Sequence, residues 1–155
     1  MVSLVDREFY AIGPCWDKLF TSVFMPKPPA ARPQLDPRLT RVSEIALAFP
    51  EAERQVCGSH AQFTVRKKTF AYFLDNHHGD GIVSIACKVL AGENKSLAET
   101  QPRRFYLPAY LASKGWVALR LDAGKVDWNE AKDLLLCSYS LVAPKKLAQQ
   151  LSEVE

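Results

Sequence analysis

The residues of this chain that could do chemistry gather in its middle third. Cys57-Gly-Ser-His60 sets a thiol and an imidazole three positions apart, and His77-His78 follows one hairpin later. Zinc accepts such ligands, but structural zinc sites present two well-spaced pairs, and adjacent histidines at a strand end or turn point apart. The expectation is therefore no metal, with turn and surface histidines as the plainer account. Ser59 and His60 are neighbours in sequence without the G-x-S-x-G elbow that would aim a serine at substrate. Cys57 beside His60 would need a third, orienting group to act as a nucleophile, and a small buried cysteine is the commoner outcome. Gly79-Asp-Gly81 lacks the lysine and hydroxyl of a phosphate-binding loop. Asp75, Asp80 and Asp122 fall where turns are expected. These residues assemble no catalytic set, so the chain is expected to be neither an enzyme nor a cofactor protein.

The cations offer a second kind of chemistry. Net charge over the 155 residues is only +3, but residues 54–120 carry ten Lys/Arg against four Asp/Glu. A concentrated basic surface attracts polyanions; a merely solvated, lysine-rich surface has the same composition. Arg66, Lys67 and Lys68 form one cluster. Arg103, Arg104 and Lys114 form another around Tyr106 and Tyr110, while Lys88, Trp116 and Arg120 lie on strand-like runs.

The elements that must position these groups can be read from periodicity. Asp36 fits an N-cap and Pro37 a first helical position. Leu39, Val42, Ile45, Ala46 and Phe49 then recur at helical spacing up to Pro50. From Val56 the period becomes two. Ala61, Phe63 and Val65 alternate with Gln62, Thr64 and Arg66; Lys67-Lys68 is the turn, and Thr69 to Leu74 returns. Residues 76–81 form a longer turn before a third strand, Ile82 to Lys88. A short helix spans Glu93 to Thr100, and Trp116 to Leu121 is another strand. Asp127 and Glu130 resemble a capping box that opens a helix through Trp128, Ala131, Leu135 and Val142, and Pro144 starts or kinks the last turn. The fold class is α+β: a two-layer antiparallel sheet with helices on one face, in the order α-β-β-β-α-β-β-α.

Such a sheet leaves a face without helical cover. That face should carry Gln62, Thr64, Arg66, Ser84, Lys88, Trp116 and Arg120, three cations around one tryptophan. Cations neutralise phosphates and an aromatic ring stacks on a base. Equally, Trp116 could lie under a loop with the cations only solubilising the sheet.

Domain organisation follows from the prolines. Pro26, Pro28, Pro29, Pro33 and Pro37 interrupt residues 25–38, which excludes regular helix or central strand there. Residues 1–36 thus read as an appendage and Pro-rich linker, with Trp16, Phe20 and Phe24 on one helical face, and residues 37–155 as the main domain. The scattered Cys15, Cys57, Cys87 and Cys137 suggest reduced thiols. With neither a signal-like N-terminus nor an apolar run of membrane-spanning length, a cytoplasmic protein is expected.

With this pattern laid out, residues Leu39 to Leu147 resemble the MmcQ/YjbR family. The resemblance rests on His60-Ala-Gln-Phe63 with Lys68-Thr-Phe70-Ala71, Cys87-Lys88, Tyr106-Leu-Pro-Ala-Tyr110, Lys114-Gly-Trp116-Val117 and Ser138-Tyr139-Ser-Leu-Val142-Ala-Pro-Lys145. The later motifs are the specific ones. The chain departs from the pattern in having His60-Ala61 where family members often carry His-Pro, and residues 1–36 lie outside it. The resemblance implies a compact fold with an antiparallel sheet. It also implies a DNA-binding role through a double wing of β-hairpins, with neither enzymatic activity nor cofactor. Carried onto this chain, the DNA contacts expected are Arg66, Lys67, Lys68, Lys88, Arg103, Arg104, Lys114 and Arg120 on phosphates, with Trp116 stacking. The competing expectation is a protein-interaction or self-association module that uses the N-terminal aromatic face of Trp16, Phe20 and Phe24 or the open sheet. A third is a small-molecule or metal activity around Cys57, His60 and His77.

Overall fold

A computed structural model describes residues 36–153. The appendage, the linker and the aromatic face of Trp16, Phe20 and Phe24 lie outside the described residues. Helix α1 (Pro37–Leu47) starts as its sequence predicts: the Asp36 carboxylate accepts the Arg38 N–H at 2.8 Å, and proline takes the first turn, where no donor is needed. It buries Leu39, Val42 and Ala46. Four strands follow: β1 (Ala52–Cys57), β2 (His60–Val65), β3 (Lys68–Asp75) and β4 (Val83–Lys88). Two-residue turns join β1 to β2 at Gly58-Ser59 and β2 to β3 at Arg66-Lys67. After α2 (Glu93–Thr100) come β5 (Phe105–Tyr106), β6 (Trp116–Arg120), α3 (Trp128–Val142) and α4 (Lys145–Glu153). The Asp127 carboxylate caps α3 by accepting the N–H groups of Asn129 and Glu130.

The six strands form one antiparallel sheet in the order β1-β2-β3-β4-β6-β5. Its inner face supplies Phe63, Phe70, Phe73, Ile85, Cys87, Val117 and Leu119 to a core closed by Leu39, Val42 and Ala46 of α1 and Leu135 and Tyr139 of α3. Each large side chain so buried contributes about 1.5–3 kcal/mol. Two polar groups lock the layers. Ser138 Oγ donates to the Phe70 carbonyl at 2.5 Å and accepts the Lys88 N–H at 2.8 Å, and the Tyr139 hydroxyl donates to the Pro50 carbonyl at 2.6 Å.

The α+β antiparallel architecture is the one read from the sequence. The order is longer by one strand: β1 is a strand in its own right, so four strands precede α2, and Pro144 divides the last helix into α3 and α4. Four of the six β1 residues are exposed, so no apolar alternation marks it.

The outer face also differs from the expectation of an open sheet. The segment 107–115 crosses it over β4 and β6, and Leu111 packs with Leu74, Ala86, Trp116 and Ala118 in a second small core flanked by Tyr72, Tyr106 and Tyr110. Asn94 of α2 ties this cover down, its amide donating to the carbonyls of Ala112 at 2.8 Å and Trp116 at 3.2 Å.

Candidate nucleic-acid interface

The β2–β3 hairpin carries its cations on an unusual turn. Arg66 and Lys67 both lie in the left-handed region, at φ 48° and 67°. This is the turn geometry whose twist suits a two-residue hairpin, but which asparagine and glycine normally occupy. On the β1 side, Arg66 grips Glu51 through two bonds, Nε to Oε2 at 2.5 Å and a terminal nitrogen to Oε1 at 3.0 Å. That guanidinium depresses the Glu51 carboxyl below its ordinary range. Lys67 and Lys68 remain exposed beside it.

Strand direction decides which other cations join them. β3 begins at Lys68 and the antiparallel β4 ends at Lys88, one step beyond the Ala71–Cys87 pair. Lys88 in turn pairs with Trp116, the first residue of β6, just after Lys114. Arg66, Lys67, Lys68, Lys88 and Lys114 therefore share one end of the sheet. Exposed Lys95 adjoins them, because the preceding Asn94 is bonded to the Trp116 carbonyl. Sequence reasoning passed over Lys95; its position directly after a buried asparagine was the only local signal.

The remaining arginines lie at the other end. The Arg120 N–H donates to the Arg104 carbonyl at 2.7 Å, which puts both residues four positions along β6 from Trp116, about 13 Å away at the rise of a strand. Here Arg104 and Arg120 each have a carboxylate. Arg104 pairs with Glu130 and lies over the Phe105 ring, and Arg120 makes two bonds to Asp122 at 3.0 and 3.1 Å. The hydrogen bond from Arg120 holds the Asp122 carboxyl below its usual range. Asp36, likewise lowered by Arg38, belongs to this end together with Asp75 and Asp80. The expected contacts thus separate into two groups, with Arg103 beside Arg104 in the second.

Trp116 corrects the expectation of a stacking platform. It is only 7% exposed, with its ring tilted against Tyr72 at 5.6 Å, beneath the 107–115 segment. A base cannot reach that face while the cover is in place.

The groups weighed for other chemistry are also placed. His77 Nδ1 and His60 Nε2 lie 3.2 Å apart, with the rings edge-on at 5.2 Å, so the imidazoles bond each other. Among the described residues no group of three or more His, Cys, Asp or Glu could hold a metal ion. Cys57, the thiol weighed as a nucleophile, is half-buried and pairs with His60 across the β1–β2 turn, whereas Cys87 is fully buried and desolvation pushes its thiol far above the ordinary range.

Comparison with known proteins adds to this geometry. Residues 47–141 match the family model described as YjbR. No curated protein matches the chain. Among solved structures it is similar to the crystal structure of the Deinococcus radiodurans protein DR2400, with family-model domain DUF419, at a TM-score of 0.57 and 20% identity over 74% of this chain and 87% of that one. At that identity the likeness is one of fold.

Proposed function

On the premise that the chain belongs to the YjbR family, we propose that it is a non-enzymatic DNA-binding protein of the cytoplasm that engages phosphates with one end of its sheet. The observation that carries this reading is the concentration of Arg66, Lys67, Lys68, Lys88, Lys95 and Lys114 at that end, against the acids Glu51, Glu53 and Glu93. The β2–β3 hairpin lies inside the sheet between β1 and β4, and its turn carries cations at the sheet's end, from which they reach backbone phosphates. Arg66 is shared with Glu51, so Lys67 and Lys68 are the principal contacts. Sequence is not read by stacking, because Trp116 is buried. Among the described residues no helix is long and apolar enough to cross a membrane.

The test is fluorescence anisotropy with duplex DNA, single-stranded DNA and RNA across a salt series. Binding should fall steeply with salt, with a log–log slope reduced by about 2 in the double variant Lys67→Ala/Lys68→Ala, at roughly 0.9 per phosphate contact. An unchanged affinity and slope in that variant would remove the hairpin from the interface. Failure of all three ligands to bind at low salt would end the proposal.

A further inference from the structure

A cavity of about 200 Å³ opens at the opposite, carboxylate-bearing end of the outer face. It is lined by Leu74, His77, Asp80, Tyr106, Pro108 and Leu111, with Ala109 at its exposed rim. An apolar cavity of roughly 150 Å³ accommodates a benzene ring, so this volume suits a ring with a short substituent. Leu74, Pro108 and Leu111 supply the apolar wall.

The polar groups set the sign of the charge. Asp80 accepts the Ile82 N–H at 2.9 Å through Oδ1 alone, and has no ion-pair partner among the described residues. His77 is engaged with His60. The Tyr106 hydroxyl shares a 2.8 Å hydrogen bond with Ser84 Oγ, and its ring can face a cation. Arg120, the guanidinium whose charge reaches Tyr106 and Asp80, is committed to Asp122. Burial raises the Tyr106 phenol, the Asp80 and Asp122 carboxylates add to that, and the Ser84 hydrogen bond and Arg120 act against it.

We propose that this cavity is a binding site for a small organic amine: an aromatic or alkyl body against Leu74, Pro108 and Leu111, and an ammonium between the Asp80 carboxylate and the Tyr106 ring. It is separate from the phosphate-binding end and independent of it.

The probes are 2-phenylethylamine, the uncharged 2-phenylethanol and the anionic 3-phenylpropanoate, titrated into the full chain by calorimetry and followed by NMR shifts of Leu74 and Leu111. The amine should bind at least tenfold more tightly than the acid. Asp80→Asn, whose amide oxygen can still accept from Ile82, should weaken the amine at least tenfold while leaving the alcohol unchanged. Ala109→Trp, filling the mouth, should abolish binding of both. The proposal is overturned if none of the probes saturates by 10 mM, roughly the weakest affinity worth calling a site. Equal or tighter binding of the acid, or amine binding indifferent to Asp80→Asn, overturns it as well. Thermal melts of both variants establish that they are folded, and Asp80→Asn decides the matter should Ala109→Trp not fold.

Discussion

At the scale of single residues, the side chains that matter most for the fold are polar and hidden. Ser138 is fully buried, yet its hydroxyl serves the Phe70 carbonyl of β3 and the Lys88 N–H of β4 from a position on α3. Alanine there leaves two backbone groups without a partner, each costing about 1–3 kcal/mol. Ser138→Ala should therefore lower the free energy of unfolding by roughly 2–6 kcal/mol in urea melts, more than an exposed serine would. The ion pairs behave differently because water screens them. Arg120 depresses Asp122, so Asp122 contributes stability that is fully present above the carboxylate's unfolded value, about 3.9. That contribution disappears as pH falls through the lower folded value. Asp122→Asn removes it, so the stability gap between wild type and variant should be constant from pH 7 to 5 and close below about pH 4. A gap that widens on acidification would contradict the assignment of Arg120 as the partner.

At the scale of elements, the legible parts were those whose pattern is carried by their own residues. Asp36 and Pro37 announce α1, Asp127 and Glu130 announce α3, and the alternation in β2 and β4 announces strands. β1 was not legible, because an edge strand exposed on both faces has no reason to alternate: Glu53, Arg54, Gln55 and Val56 all meet solvent. The cover of the outer face was hidden for another cause. It is made by an irregular segment whose anchor, Asn94, bonds residues 18 and 22 positions away. Trp116 was correctly placed on its strand, and only the cover decided whether it meets a base or a leucine. The β2–β3 turn departs from local preference in an informative way. Lysine at φ 67° is disfavoured by about 1–2 kcal/mol relative to an unstrained conformation. Glycine relieves that strain at an entropic cost of about 0.5–1 kcal/mol in the unfolded chain. Lys67→Gly should thus stabilise the protein by about 0.5–1 kcal/mol in urea melts while weakening DNA binding. A variant neither more stable nor weaker in binding would show that the turn is not strained and the lysine not in contact.

At the scale of the whole molecule, the fold sorts charge by sheet end. Antiparallel pairing brings the start of β3, the end of β4 and the start of β6 together, so lysines distant in sequence converge. The same pairing carries Arg104 and Arg120 away with Glu130 and Asp122. Sequence alone left open whether they form one surface, since net charge along a chain contains no information about which end of a strand a residue occupies. The separation makes a discriminating prediction. Removing two charges at the hairpin and two at the far end changes net charge equally, so a nonspecific attraction to DNA would respond alike to both. A localised phosphate-binding end would not. Arg103→Ala/Arg104→Ala should leave DNA affinity at moderate salt within about twofold, because its loss acts only through a field screened over a Debye length of about 10 Å. Lys67→Ala/Lys68→Ala removes direct contacts, and should weaken binding tenfold or more, at about 1 kcal/mol or slightly less per phosphate contact. Equal losses in the two variants, measured by anisotropy at the same ionic strength, would mean that DNA sees the overall charge of the molecule and not one end of its sheet.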